Sequence, residues 1–298
     1  MLWFDNQAEE AGKFYTSTFP NSQTSRITRY GKEGFEIHRQ KEGTLMTIDF
    51  SLDGQKFTAL NGGPHFKINP SISFFVTYEK EDHVDAIWKN LTHGGTVLMP
   101  LDKYPWSEKY GWLQDRYGVS WQIALGRRSD VGGQSVVPSL MFAKEHYGQA
   151  EKAMNLYTSV FKNSKIEGVL RYGPDQLPEK EGTVQHAQFT LGNQTFMVMD
   201  SAMDHQFTFN EGVSLVVNCD TQEEIDYYWG KLSEGGDPKA QVCGWLKDKF
   251  GVSWQIVPTL LDDMLQDRDK TKTERVTKAY LKMNKFDIKE LKKAFEGK

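Results

Sequence analysis

The stretch Gly111–Ile123, GWLQDRYGVSWQI, returns as Gly244–Ile256, GWLKDKFGVSWQI, with ten of thirteen positions identical. No other feature constrains the fold as tightly, because a chain that repeats itself builds one unit twice. The repeat is not local. Ala8–Ser22 (AEEAGKFYTSTFPNS) matches Ala150–Ser164 (AEKAMNLYTSVFKNS) at an offset of 142, and Arg29–Gly31 matches Arg171–Gly173 at the same offset. Trp88 matches Trp229 and Gly94-Gly95 matches Gly235-Gly236 at 141, whereas Gly111 to Gly244 is 133. The drop of 141 − 133 = 8 places eight extra residues in the first copy, around Asp102–Tyr110. The copies span residues 1–125 and 139–258, joined by a Gly/Ser-rich linker, 126–138, and followed by an unrepeated tail, 259–298.

Each copy predicts strand, helix and three strands, twice over. Ala8, Ala11, Tyr15 and Phe19 fall on one helical face that Pro20 ends, with Asn6 and Glu9 placed as a capping box. Val84, Ile87 and Leu91 mark a second helix, and Ile225, Trp229 and Leu232 its partner behind a Thr221/Glu224 box. Ile48, Phe50 and Leu52 alternate with polar residues up to an Asp53-Gly54 hairpin turn. Val119, Trp121 and Ile123 face one way, Ser120, Gln122 and Ala124 the other. The tail predicts helices packed on the body, with Asp287 and Glu290 as a cap and Phe286 and Leu291 as a staple.

Composition excludes several function classes. A net charge of -4 argues against a phosphate-tracking surface, so no nucleic-acid partner is expected. No apolar run approaches the ~18 residues of a membrane span, and MLWFDNQAEE lacks the basic start of a signal peptide. Cys219 and Cys243 are the only cysteines, too few for a disulfide framework or a zinc quartet. A cytoplasmic protein with no membrane partner is the expectation. No G-x-S-x-G elbow offers a nucleophile.

The opening LWFDNQAEEAGKFYTSTFPNS, the middle GGPHFKINPSISFFV, the GWLQDRYGVSWQI ending and the closing RVTKAYLKMNKFDIKELKKAF resemble the PhnB-like branch of the vicinal-oxygen-chelate (glyoxalase, bleomycin-resistance and dioxygenase) superfamily. The resemblance implies an α+β fold. Two glyoxalase-like lobes would each pair βαβββ modules in a curved, mixed or antiparallel sheet around a cleft, with C-terminal helices added. Single-lobe relatives would dimerise; here the pairing would be internal, giving a monomeric pseudo-dimer or a homodimer. The branch is also labelled 3-demethylubiquinone 3-methyltransferase-like. The sequence does not suit that label, because no glycine-rich turn joins a parallel strand to a helix, and no cofactor is implied.

The resemblance also implies metal ligands on the first, fourth, fifth and eighth strands of a module pair. Here Leu2-Trp3-Phe4 and Leu140-Met141-Phe142 offer none, Phe57–Asn61 offers none, and Phe196–Asp200 offers Asp200 alone. Ser71 and Gly212 stand at the fifth strand, Gln122 and Gln255 at the eighth. Neutral glutamine keeps an acceptor oxygen, gains an NH2 donor and loses the charge that holds a dication. His186, Asp200 and His205 are the alternative metal set, all in one region of the second copy.

What remains is aromatic. Trp106 and Tyr104, in the insertion, have no counterparts in the second copy; Tyr110 adjoins them. With Gln122, Ser71, Asn61 and His65 as polar groups they predict a ligand cleft in the first lobe, the second serving as scaffold. The leading expectation is a metal-free binder of a small organic molecule. The alternatives are a metal-dependent lyase or dioxygenase with an unusual ligand set, and an interaction protein with vestigial clefts whose tail makes the contacts.

Overall fold

A computed structural model describes residues 1–298. Four βαβββ modules follow one another. The first runs β1 (Leu2–Phe4), α1 (Ala8–Thr18), β2 (Gln23–Arg29), a short α2 (Phe35–His38), β3 (Leu45–Leu52) and β4 (Gln55–Asn61). The second runs β5 (Ile72–Tyr78), α3 (Glu81–Thr92), β6 (Thr96–Tyr104), β7 (Ser107–Gln114) and β8 (Ser120–Leu125). The third runs β9 (Val136–Ala143), α4 (Ala150–Val160), β10 (Lys165–Arg171), β11 (Val184–Leu191) and β12 (Gln194–Ser201). The fourth runs β13 (Leu215–Cys219), α5 (Gln222–Ser233), β14 (Asp237–Val242), β15 (Trp245–Lys247) and β16 (Ser253–Pro258). Three tail helices close the chain: α6 (Thr259–Leu265), α7 (Lys270–Tyr280) and α8 (Ile288–Glu296). No helix is long and apolar enough to cross a membrane.

The modules pair across the two copies. One continuous sheet has the order β10-β11-β12-β9-β5-β8-β7-β6, so the second module joins the third where β5 runs antiparallel to β9, from Ile72↔Leu140 to Val76↔Val136. The remaining sheets, β1-β4-β3-β2 and β13-β16-β15-β14, meet at a narrower seam. There Leu2 bridges Val213, Trp3 N donates to Gly212 O at 2.9 Å, and Ser214 N donates to Met1 O at 3.0 Å. The α+β class and the tandem of βαβββ modules are as read from the sequence, but each module's sheet partner lies in the other copy.

The helices hold each copy together. In the first, Ala8, Ala11 and Tyr15 of α1 are buried against β3 and β4, while Phe19 lies 5.1 Å from the Trp121 ring of β8. The Asp115 carboxylate in the β7–β8 turn accepts from Tyr15 Oη at 2.7 Å, Trp121 Nε1 at 2.8 Å, and the Tyr117 and Val119 amides. Asp248 repeats this with Tyr157, Trp254 and the Phe250 and Val252 amides. The repeated thirteen residues therefore encode a buried tie between the two modules of one copy. One core runs through the whole body, with Trp121 and Trp254 its largest fully buried side chains.

Local expectations hold in most places. Asp53 and Gly54, with φ of 45° and 93°, make the two-residue β3–β4 turn, and Leu52 pairs with Gln55 across it. Thr221 and Asp287 cap α5 and α8. The Asn6/Glu9 box does not form. Instead Asn61 Oδ1 on β4 accepts from the Ala8 amide at 2.8 Å, so a distant strand caps α1. The linker also ends earlier than read: Val136–Pro138 already belong to β9, whose eight residues are all buried. Pro138, which cannot donate to a ladder, disguised it.

Candidate functional site

On the eight-stranded sheet, side chains alternate between the helix layer and the opposite, outer face. Trp121 and Ile123 of β8 enter the core, which leaves Gln122 outside it and half-buried. Its amide is held at both ends: Oε1 accepts from Tyr110 Oη at 2.8 Å and Nε2 donates to Ser73 Oγ at 2.7 Å. Tyr110 comes from β7 and Ser73 from β5, so three strands fix one amide. Burial raises the Tyr110 phenol, keeping it a neutral donor. Beside them Trp112 Nε1 donates to Ser120 Oγ at 2.8 Å.

The eight-residue insertion lengthens the β6–β7 hairpin. Tyr104 and Trp106 stack at its tip, ring centroids 5.1 Å apart, and both stand against Tyr110 at 5.8 and 6.1 Å. Trp106 remains 64% exposed, and Tyr104 Oη donates to Pro100 O at 3.0 Å. The third module supplies the other half of the face. Val198 and Phe196 point to the core, so Met197 and Met199 lie outward; Met197 pairs with Ser139 and Met199 with Met141. At the seam, Val131 of the linker packs with Val137, Met197 and Phe75 in a small cluster separate from the main core.

The structure splits the residues expected to share one cleft. Trp106, Tyr104, Tyr110 and Gln122 come together. Ser71, just before β5, is buried and bonds through its backbone, its N–H to Asn69 Oδ1 and its O to Met141 N. Asn61 is consumed: besides capping α1, its Nδ2 donates to Leu45 O and its carbonyl accepts from Tyr30 Oη. His65 is exposed in the loop after β4, and its neighbour Phe66 packs on Trp3 at 5.0 Å, beside the other sheet. The residues expected to line one cleft in the first copy therefore do not all meet, and the outer face that carries Gln122 continues across β5 onto β9 of the third module. Sequence reasoning missed Ser73 and the three methionines. Ser73 had a signal, since Ser214 repeats it at the offset of 141 and binds Gln255 Nε2 at 2.7 Å.

The alternative metal set does not assemble. Asp200 Oδ1 accepts from the Gly148 and Ala150 amides and Oδ2 from Val184 N, so both oxygens cap backbone, as Asn61 does in the first copy. Burial raises its carboxyl despite these three bonds. His205 Nε2 is 2.9 Å from Ser201 Oγ, and burial lowers that imidazole. His186 is an exposed residue of β11. No group of three or more His, Cys, Asp or Glu converges to hold an ion. The outer face offers an amide, hydroxyls and thioethers, which do not fit a hard dication.

The family described as 3-demethylubiquinone-9 3-methyltransferase matches residues 1–124 and again 134–257. The chain belongs to this family. Its fold is that of the vicinal-oxygen-chelate superfamily. A PhnB protein from Bacillus cereus, given the same methyltransferase description, is 42% identical over 42% of this chain and 95% of its own, with a TM-score of 0.39. A protein from Staphylococcus aureus is 34% identical over 42% of this chain and 92% of its own, with a TM-score of 0.18. Glyoxalase I from Zea mays covers 86% of this chain and 90% of its own at 11% identity, with a TM-score of 0.55. That likeness shows the fold alone. No curated protein matches.

Proposed function

We propose that the protein binds a small, neutral organic molecule on the outer face of the eight-stranded sheet. One observation carries the reading: Gln122 occupies the position where the superfamily resemblance places a metal-binding carboxylate, and its amide is clamped between Tyr110 and Ser73. In that arrangement Gln122 keeps one N–H, the Ser73 hydroxyl keeps its proton, and the Tyr110 oxygen keeps its lone pairs. These groups suit a carbonyl, amide or hydroxyl of the ligand. Tyr104 and Trp106 wall it on one side, and Met141 and Met199 give it an apolar, adaptable floor.

The family's description names a methyl transfer, and the residues do not fit the donor that the reaction needs. The module helices α1, α3, α4 and α5 follow their strands without a glycine-rich turn, and the first amides of α1, α4 and α5 are already taken by Asn61, Asp200 and Thr221. The reading is therefore binding, in a monomeric pseudo-dimer.

Tryptophan fluorescence tests it. A panel of small neutral aromatic amides, ketones and phenols is titrated into wild type, Trp106→Ala and Gln122→Leu. Saturable quenching by a panel member, lost in both variants, supports the site. Saturable quenching that survives both places binding elsewhere and refutes it.

A further inference from the structure

The two outer faces share a serine, a glutamine and a tryptophan, yet the glutamine is half-buried in one and buried in the other. Ser214 and Gln255 repeat Ser73 and Gln122, and Trp245 repeats Trp112. Gln122 is half-buried, whereas Gln255 is 4% exposed, with Met1 Sδ 3.0 Å from its Nε2 and Trp3 packed on Trp245 at 5.9 Å. The tail bridges the far edges of the two sheets that carry this face. At one wall, Asp262 of α6 pairs with Arg26 of β2 at 2.7 Å. Arg26 pairs with Asp49, on the side of β3 away from the core. Leu265, Thr273, Thr277 and Tyr280 then close on Thr28, Tyr30 and Met46 around a cavity of only about 60 Å³.

At the other wall the tail clasps the short β14–β15 hairpin. Cys243 N donates to Met283 O at 2.8 Å, Gly244 N to Asn284 O at 2.7 Å, and Cys243 Sγ to Tyr280 O at 3.6 Å. Gly244 has φ of +80°, and a Cβ there would stand 2.3 Å from Phe286, so the glycine makes room for the tail's ring. Behind the hairpin, Gln222 of α5 locks the chain with both ends of its amide, donating to Phe286 O at 3.1 Å and accepting from Ile288 N at 2.9 Å. The equivalent hairpin in the first copy carries the eight extra residues and no such clasp.

We propose that residues 259–298 are an in-chain strap closing a second ligand face, formed by Ser214, Gln255, Trp245 and Trp3, so that the protein takes one ligand per chain until the strap is released. The second face would take the same class of neutral organic molecule, and that part rests on the function proposed above. The closure itself does not.

Cys243 is a native reporter, because its half-buried thiol donates to Tyr280 O of the tail while Cys219 is fully buried in the core. The full-length protein is treated with 5,5′-dithiobis(2-nitrobenzoate), and mass spectrometry locates the label. Wild type is expected to react slowly. Phe286→Asp, and the milder pair Arg26→Ala with Gln222→Ala, should speed labelling of Cys243 by about tenfold or more through local opening, with Cys219 still protected. Fast labelling of Cys243 in wild type would show an open strap and overturn the proposal. Equal labelling of both cysteines in the milder variant would make the tail part of the cooperative core and would overturn it too. The neutral fluorescent probe N-phenyl-1-naphthylamine then counts faces: one bound per chain in wild type and two after release. No binding in wild type would refute the ligand reading, while the thiol rates would still decide whether the strap closes.

Discussion

Asp115 and Asp248 explain why the chain repeats GWL, D and GVSWQI. Each accepts four hydrogen bonds inside the protein, two from side chains and two from amides of its own turn. Asparagine has the same shape but would turn an NH2 toward either the two backbone amides or the Trp121 N–H, none of which has a lone pair to offer. Asp115→Asn should therefore cost about 3 kcal/mol in urea unfolding, more than an isosteric change suggests. Burial outweighs the four bonds and pushes the Asp115 carboxyl from 3.8 up to about 6. A folded-state value above the unfolded one means that the native state holds the proton longer. This group's contribution is then complete below pH 3.8 and is lost as pH rises through 6, roughly 3 kcal/mol in all. Unfolding free energies measured from pH 3.5 to 7 should show that fall in wild type and a shallower one in Asp115→Asn. Burial raises the Asp248 carboxyl as well, so its loss falls in the same direction. The aspartate and tryptophan of the motif were visible in the sequence. Their bond was not, because Tyr15 lies one hundred residues from Asp115.

At the scale of elements, what was legible was what is local. Helical spacing found α1, α3 and α5, alternation found β3 and β8, and the Asp53-Gly54 turn fixed its hairpin. The insertion was legible as a change of offset, and the structure makes it the tip of β6–β7. Caps were legible only where the capping residue is a neighbour, as at Thr221 and Asp287. Asn61 and Asp200 cap from 53 and 50 residues away and were read as candidate ligands instead. The tip's role separates stability from binding. Trp106 is mostly exposed, so Trp106→Ala should change the unfolding free energy by no more than about 0.5 kcal/mol. Trimming Asp102–Lys109 to the length of the β14–β15 hairpin should likewise leave melting nearly unchanged. Both should abolish quenching by any ligand that quenches wild type. A variant that binds normally without the tip would show that the aromatic wall takes no part in binding.

For the whole molecule, the pairing of modules across copies was the least legible feature. A repeat shows that two units are alike, but the edges of β1, β5, β9 and β13 carry no local sign of which meets which. The structure pairs the second module with the third and the first with the fourth, which makes the chain a two-fold assembly on one polypeptide. Residues 1–125 alone would expose both the β1 and β5 edges, and such edges seek partners. That fragment should form a symmetric dimer, β1 of one molecule on β5 of the next, by light scattering after gel filtration. A stable monomer would contradict the pairing.

The proposed site is organised by a clamped amide and not by a metal ion. Thermal melting of chelator-treated protein tests this most directly, with Mn2+, Ni2+, Zn2+, Co2+ and anaerobic Fe2+ in turn, then with the neutral organic panel. No ion should give a saturable rise, and a panel member should give one that is lost in Gln122→Leu. A saturable rise for one ion, about 2.7 kcal/mol at ~100 times its dissociation constant, would contradict the clamped-amide site.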